Sequence, residues 1–198
     1  MFENIDDVYI IGSAKELNNM VSIVDARVQK MSTVTEQMKS VLANFGCTTF
    51  GNQYEKAVNA ASSFSDILYN KSVELNAVQR DLVHYIDRID IFNDRPPSGI
   101  PPRNFQVNRI KVSVNTKDDR FTKDIIIKLI NQLNRYCQYI EQEKRTLLNE
   151  KTSIGSIWRD SQYRIYSSYI DEIVSSINKG VKELMDYSDY LQRKILNM

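Results

Sequence analysis

The chain matches itself when it is displaced by 109 residues, and this internal repeat restricts its possible folds more than any other feature. At that offset, and without a gap, Gly46 falls on Gly155 and the pair Gln53-Tyr54 falls on Gln162-Tyr163. Further identities follow at Glu74, Leu75, Leu82 and Ile86, which fall on Glu183, Leu184, Leu191 and Ile195. Because these identities share a single offset, the sequence predicts a tandem duplication.

Each repeat is predicted to contain two long helices. Apolar residues recur every three or four positions on both sides of each glycine, which is the spacing of one helix face and indicates coiled-coil-like packing. The first helix carries this stripe at Leu17, Met20, Val21, Val24, Val28, Met31, Val34 and Met38. Ser13 and Glu16 form a capping box at its start, and Thr122 is the equivalent N-cap of the second repeat. We expect helices of about 30–40 residues, or ~45–60 Å.

These patterns predict an all-α fold in which two tandem helical hairpins pack as an elongated four-helix bundle. Each hairpin alone has one apolar seam, and two hairpins placed face to face bury both seams. We divide the chain into a first hairpin (1–92), a proline-containing linker (93–121) and a second hairpin (122–198). The linker contains RPPSGIPPRN, which proline keeps out of a helix. Its continuation, FQVNRIKVSVNT, is either a short β-strand or an extended connector lying on the bundle.

Composition excludes several classes of partner. Lysine and arginine number 26 against 25 acidic residues, so a net charge of +1 provides no basic patch for nucleic acid. No apolar run approaches the ~20 residues that a membrane span needs, and the N-terminus lacks the features of a signal peptide. The two cysteines, Cys47 and Cys137, are expected to be free thiols.

The sequence contains no constellation that points to catalysis, a metal or a cofactor. His84 is the only histidine, and Asp81-x-x-His84 is at most half of the ligand set that a di-iron bundle needs. No glycine-rich phosphate loop is present. We therefore predict that the protein is not an enzyme and has no catalytic, cofactor-binding or metal-binding residues.

The turn between the last two helices resembles the signature of the WXG superfamily, the small helical hairpins linked to type VII secretion. The second repeat has Trp158-Arg159-Asp160, followed by Tyr166 eight residues after the tryptophan. The first repeat has Thr49-Phe50-Gly51 at the aligned positions, so one copy retains the tryptophan and the other the glycine. The candidate turn and partner-binding residues are Gly46, Phe50, Gly51, Gly155, Trp158, Asp160 and Tyr166. The tryptophan either locks the turn or is exposed for recognition by a partner.

This resemblance implies a protein-interaction role as a secretion substrate, a co-secreted partner or a targeting chaperone. The implied partner is a protein, such as a larger effector or a secretion ATPase, and the chain is a monomer resembling a fused dimer or else a homodimer. The Tyr-x-x-x-Asp/Glu export pattern occurs only at Tyr139 and Glu143, before the turn rather than after the second helix. The protein is therefore expected to be either secreted by a leaderless route or cytoplasmic. The alternative function is a cytoplasmic coiled-coil adaptor or structural bundle unrelated to secretion.

Overall fold

The computed structural model describes residues 13–45, 51–100, 105–111 and 122–197. These residues form a four-helix bundle of α1 (Ala14–Phe45), α2 (Gly51–Phe92), α3 (Lys123–Ile157) and α4 (Ser161–Leu196). Helices α1 and α4 each pack against both α2 and α3. The predicted all-α four-helix fold is confirmed, although α2, with 42 residues, exceeds the expected length. Among the described helices, none is long and apolar enough to cross a membrane.

Neighbouring helices of the bundle run antiparallel. Between α2 and α4, Lys71 contacts Glu172, and Phe64 packs against Gly180, so residue numbers rise along one helix as they fall along the other. The same relation holds between α1 and α3. The two hairpins therefore lie head to tail, and each end of the bundle combines one hairpin connection with the free end of the other hairpin.

The contacts between the hairpins follow the 109-residue offset seen in the sequence. Arg27 Nη1 lies 3.0 Å from Glu143 Oε2. The counterpart of Arg27 in the second repeat is Tyr136, and the counterpart of Glu143 in the first repeat is Val34. The structure places the Tyr136 hydroxyl 2.8 Å from Oγ1 of Thr35, the residue next to Val34. The hairpins are thus related by an approximate two-fold axis, as the two halves of a fused dimer are.

The core is apolar along all four helices, but the α1–α2 interface also contains buried polar residues. We call this set the polar ladder: Asn18, Asp25, Ser32, Glu36 and Lys39 on α1, with Ser65, Ser72, Asn76 and Gln79 on α2. Gln79 Nε2 donates to Asn18 Oδ1 at 3.2 Å, and Asn76 Nδ2 donates to Asp25 Oδ2 at 3.2 Å. Polar residues at core positions fix the register of packed helices because a shifted pairing leaves them unsatisfied.

The α1 start matches the predicted capping box in part. The Glu16 N–H lies 3.4 Å from Ser13 Oγ, as that motif requires. Thr122 takes the predicted N-cap position of α3, but its side chain makes no capping hydrogen bond.

The linker lies on the bundle as an extended connector. Residues 105–111 are not in a strand, and the rest of the strand candidate falls outside the described residues. Ser98 donates to Asp87 Oδ1, and Phe105 packs edge-on against Tyr69 with ring centres 5.0 Å apart. Since later linker residues contact earlier α2 residues, the linker runs back along α2. This direction brings the chain from the end of α2 toward the start of α3 at the opposite end of the bundle.

Candidate functional site

The turn that carries the sequence motif spans Trp158 to Asp160, between α3 and α4. The Trp158 N–H donates to the Ile154 carbonyl at 2.9 Å, which ends α3. Asp160 is the N-cap of α4, and its side chain accepts from the Tyr163 N–H at 2.8 Å. An aspartate at this position also complements the positive end of the helix dipole. Local capping therefore explains why Asp160 follows the tryptophan.

Trp158 is fully buried, with 0% of its surface exposed. Its indole ring lies 5.8 Å from the ring of Tyr163 and 5.6 Å from that of Tyr166, in tilted arrangements that aromatic pairs favour. Burial, and then the charges of Asp25 and Glu150, hold the pKa of the Tyr166 hydroxyl well above its ordinary value. The folded chain thus uses Trp158 to close the corner between α3 and α4, and does not display it to a partner.

Gly155 lies within the last turns of α3, not in the turn itself as the sequence suggested. The pattern was misread because glycine is a common helix terminator. Here it leaves room for Tyr163, because a Cβ at this position would lie 2.8 Å from Tyr163 Cζ and closer still to the hydroxyl. The Tyr163 hydroxyl donates to the Lys151 carbonyl at 3.1 Å, which fixes the ring against α3.

The structure brings Gly155, Trp158, Asp160 and Tyr166 together at one corner of the bundle, as the motif grouped them. The corresponding corner of the first hairpin cannot be compared in the same way. Gly46 and Phe50 lie outside the described residues, and Gly51 is the first residue of α2.

A buried charged group that the sequence analysis missed lies beneath the linker. Glu36 and Lys39 are 2% and 5% exposed, and Lys39 Nζ lies 3.1 Å from Glu36 Oε1. The same carboxylate accepts hydrogen bonds from Ser65 Oγ and, at 2.6 Å, from the Ile110 N–H of the linker. Burial alone raises the pKa of Glu36, but hydrogen bonds from Ser65, Ile110 and Lys39 together hold it below its ordinary value of 4.5. In the sequence, the i, i+3 spacing of Glu36 and Lys39 was the feature that could have predicted this ion pair.

One side chain of the linker contacts α2 close to that carboxylate. The Arg109 guanidinium lies 4.7 Å from the centre of the Tyr69 ring and pairs with Asp66. Together with the Ile110 bond, these contacts attach residues 105–111 to the first hairpin.

A second charged group joins the two hairpins, and we call it the Lys71 cluster: Lys71, Glu74, Tyr169 and Glu172. Lys71 Nζ lies 2.7 Å from a carboxylate oxygen of both Glu74 and Glu172. It also lies 4.6 Å from the centre of the Tyr169 ring, which places the ammonium over the negative face of the aromatic system. The cluster fills the groove between α2 and α4 with the chain's own side chains.

The remaining candidates for chemistry stay apart in the part of the chain that the structure describes. His84 is exposed on α2, and no group of three or more histidine, cysteine or acidic residues there is arranged to hold a metal ion. Cys137 is a buried free thiol, and burial, with a smaller contribution from Glu141, raises its pKa to about 12. Cys47 lies outside the described residues.

Comparison with known proteins found no match among protein-family models, curated proteins or solved structures.

Proposed function

We propose that the chain is a non-enzymatic protein-interaction protein of a type VII-like secretion system, acting as a substrate, a co-secreted partner or a targeting chaperone for a larger effector. The supporting observation is the head-to-tail packing of two helical hairpins, one of which carries a buried tryptophan at its corner. The WXG resemblance implies hairpins that pair with each other, and here two paired hairpins are joined in one chain.

The way the core is filled favours binding through the outer faces of the helices. Leu17, Leu68, Ile126 and Ile170 are all fully buried, so the chain satisfies the apolar seams of both hairpins itself. A partner then contacts grooves between helices or an end of the bundle, as in helix-in-groove recognition.

The polar ladder favours the second candidate, a cytoplasmic adaptor or structural bundle. Asn18 with Gln79, and Asp25 with Asn76, fix the register of the first hairpin. Register control of this kind is a general device of helical bundles and requires no link to secretion. Dependence on the secretion apparatus separates the two candidates.

The test uses the native host, with and without the type VII-like ATPase, and an antibody raised against the purified protein. An untagged protein avoids disturbing the linker, whose Ser98 and Ile110 contact the bundle. Culture supernatant and lysate are immunoblotted, with a cytoplasmic enzyme as the control for lysis. We expect supernatant signal that disappears without the ATPase.

The control distinguishes the outcomes. Signal confined to the lysate of both strains excludes a substrate or co-secreted partner and leaves a chaperone or adaptor. A chaperone is then identified by loss of export of its effector when this chain is deleted. Unchanged export of every protein in the deletion strain contradicts the proposal and favours the adaptor.

A further inference from the structure

A cavity of about 380 Å³ lies between α2 and α4. Phe64, Ile67 and Gly180 are among the residues that line it, and its volume falls within the range of ligand-binding pockets. Phe64 is packed closely beneath it, because a Cβ added at Gly180 would lie 3.1 Å from Phe64 Cγ. Phe64 is thus the buried base of the cavity, and the space above it is open to an occupant from outside.

The cavity is the two-fold counterpart of the Lys71 cluster. The 109-residue offset carries Lys71, Tyr169, Glu172 and Glu74 onto Gly180, Ala60, Ser63 and Glu183. All four of these counterparts line the cavity. One chain thus contains the same inter-helix groove twice, once filled by its own side chains and once open.

The comparison between the two grooves shows what the open one lacks. Ala60 replaces the aromatic ring of Tyr169, and Gly180 replaces the long aliphatic stem of Lys71. In the filled groove the Lys71 ammonium lies over the Tyr169 ring between α2 and α4. Because Phe64 already packs against Gly180, what the open groove chiefly lacks is the Tyr169 ring, a bulky and largely apolar group.

The charges at the rim identify the polar part of the occupant. Ser63 occupies the position that the acid Glu172 has in the filled groove. The rim of the open groove has two positive charges, from the exposed Lys56 and Lys179, and one negative charge, from Glu183. The rim therefore carries one net positive charge, whereas the filled groove has two acids around its lysine. An acidic group placed near Lys56 and Lys179 complements it.

We propose that this groove binds a helix of a partner protein that inserts one aromatic side chain over Phe64 and places an Asp or Glu near Lys56 and Lys179. The proposal rests on the protein-interaction role inferred above and names the partner surface for it. The occupant is a helix because the groove runs between two antiparallel helices, where the side chain of a third helix enters as a knob. The aromatic anchor supplies most of the binding energy, and the acids supply orientation.

The test uses the full-length ¹⁵N-labelled protein and a stapled, alanine-based helical peptide as the probe. The peptide carries one central Phe with a Glu one helical turn before it and another one turn after it. We expect saturable shifts of amide signals from residues around Phe64 and Gly180, and at least about tenfold weaker binding of a matched peptide with Lys in place of Glu.

Two variants of the protein locate the binding. Ala60→Tyr restores the ring that the filled groove has, and should weaken binding of the Glu peptide at least about tenfold. Gln37→Tyr, at an exposed position of α1, is the matched control and should leave binding unchanged. The double variant Lys56→Glu/Lys179→Glu should reverse the preference toward the Lys peptide. It keeps the proposal testable even if Ala60→Tyr unfolds, as circular dichroism would show.

Several outcomes overturn the proposal. They are an absence of shifts at about 1 mM Glu peptide, equal binding of both peptides, or equal binding by Ala60→Tyr and wild type. Phenylacetate that binds as tightly as the peptide assigns the groove to small aromatic acids instead. A wild-type dimer that Ala60→Tyr dissociates in sedimentation assigns it to a second copy of the chain. None of these results alters the secretion experiment, so failure of the groove and failure of the proposed function are distinguishable.

Discussion

The ammonium group of Lys30 lies 5.8 Å from the centre of the Tyr139 ring, and these two residues are 109 positions apart. The contact therefore joins a residue to its own counterpart in the other repeat, which happens only where a two-fold axis passes between two helices. On the opposite face, the counterparts Ile67 and Ser176 both line the α2–α4 cavity. The axis thus passes through the α1–α3 interface and emerges beside the groove.

The two lysines that contact tyrosines across the hairpins should differ in their contribution to stability. Lys71→Ala removes a cation–π contact and two ion pairs, and we expect it to lower the free energy of unfolding by roughly 1–2 kcal/mol. Lys30→Ala removes one exposed contact and should cost about 0.5 kcal/mol or less. Urea denaturation measures both values. Equal effects would show that the ion pairs of the Lys71 cluster do not join the hairpins.

Trp158→Ala should destabilise the protein strongly, and Trp158→Phe should not. The alanine variant leaves a cavity at the α3–α4 corner, and we expect a loss of about 3–5 kcal/mol. The indole Nε1 is buried without a hydrogen-bond partner among the described residues, so phenylalanine forfeits no such bond and should cost less than about 2 kcal/mol. Thermal unfolding followed by circular dichroism measures both variants. Similar losses for the two would indicate that the indole N–H is bonded in solution.

Gly155→Ala should destabilise α3 even though alanine is the better helix former. Helix propensity favours the substitution by about 1 kcal/mol, but the new Cβ would collide with the Tyr163 ring and cost about 1–3 kcal/mol. In a Tyr163→Ala background the collision is absent, and the same substitution should stabilise. Chemical denaturation of the four proteins of this cycle gives the coupling. Stabilisation by Gly155→Ala alone would contradict the close approach of Tyr163 to α3.

Glu36 should make the stability of the protein sensitive to acid. Its pKa in the folded state lies below the ordinary 4.5, so its ionised form stabilises the fold above that pH. The contribution is lost as the pH falls from 4.5 through the lower folded pKa. Unfolding free energies between about pH 7 and pH 3 should therefore fall more steeply for wild type than for Glu36→Gln. Glu55→Gln, at an exposed site on α2, is the matched control and should keep the wild-type slope.

Cys137 should be unreactive until the bundle opens. Its thiol is 3% exposed, and a pKa of about 12 leaves little thiolate near neutral pH. In a Cys47→Ser protein, we expect labelling by a disulfide reagent in buffer to be at least roughly a hundredfold slower than in urea. Spectrophotometry of the released thiolate follows the rate. Fast labelling of the native protein would mean that α3 and α4 separate readily around this residue.

Hydrophobic spacing was sufficient to predict the four helices because it records the buried face directly. Leu17, Val24 and Met31 are buried as expected, whereas Met20 and Val34 are only partly buried. Helix α1 packs against both α2 and α3, so its buried face is wider than the predicted apolar stripe. Asp25 and Glu36 are buried on that wider face. Sequence reasoning would place them on the surface, because charged residues are usually exposed.

The candidate site was less predictable because it depends on contacts between distant residues. Trp158, Asp160 and Tyr166, which the sequence grouped, lie at one corner because capping and aromatic packing act over a few residues. The sequence could not show that Gly155 leaves room for the ring of Tyr163. Nor could it show that the Ile110 N–H donates to Glu36, 74 positions earlier. The α2–α4 cavity was visible only after the fold placed Ala60 beside Gly180.

Head-to-tail packing gives the molecule a direction. The bundle is a rod about 50 Å long, judged from the 35 residues of α3. One end combines the start of α1 with the Trp158 turn, and the other combines the start of α3 with the end of α4. One half of the α2–α4 face carries the Lys71 cluster and the other half carries the open groove, so the two directions along the rod present different surfaces. An apparatus that grips this rod can therefore distinguish its front from its back.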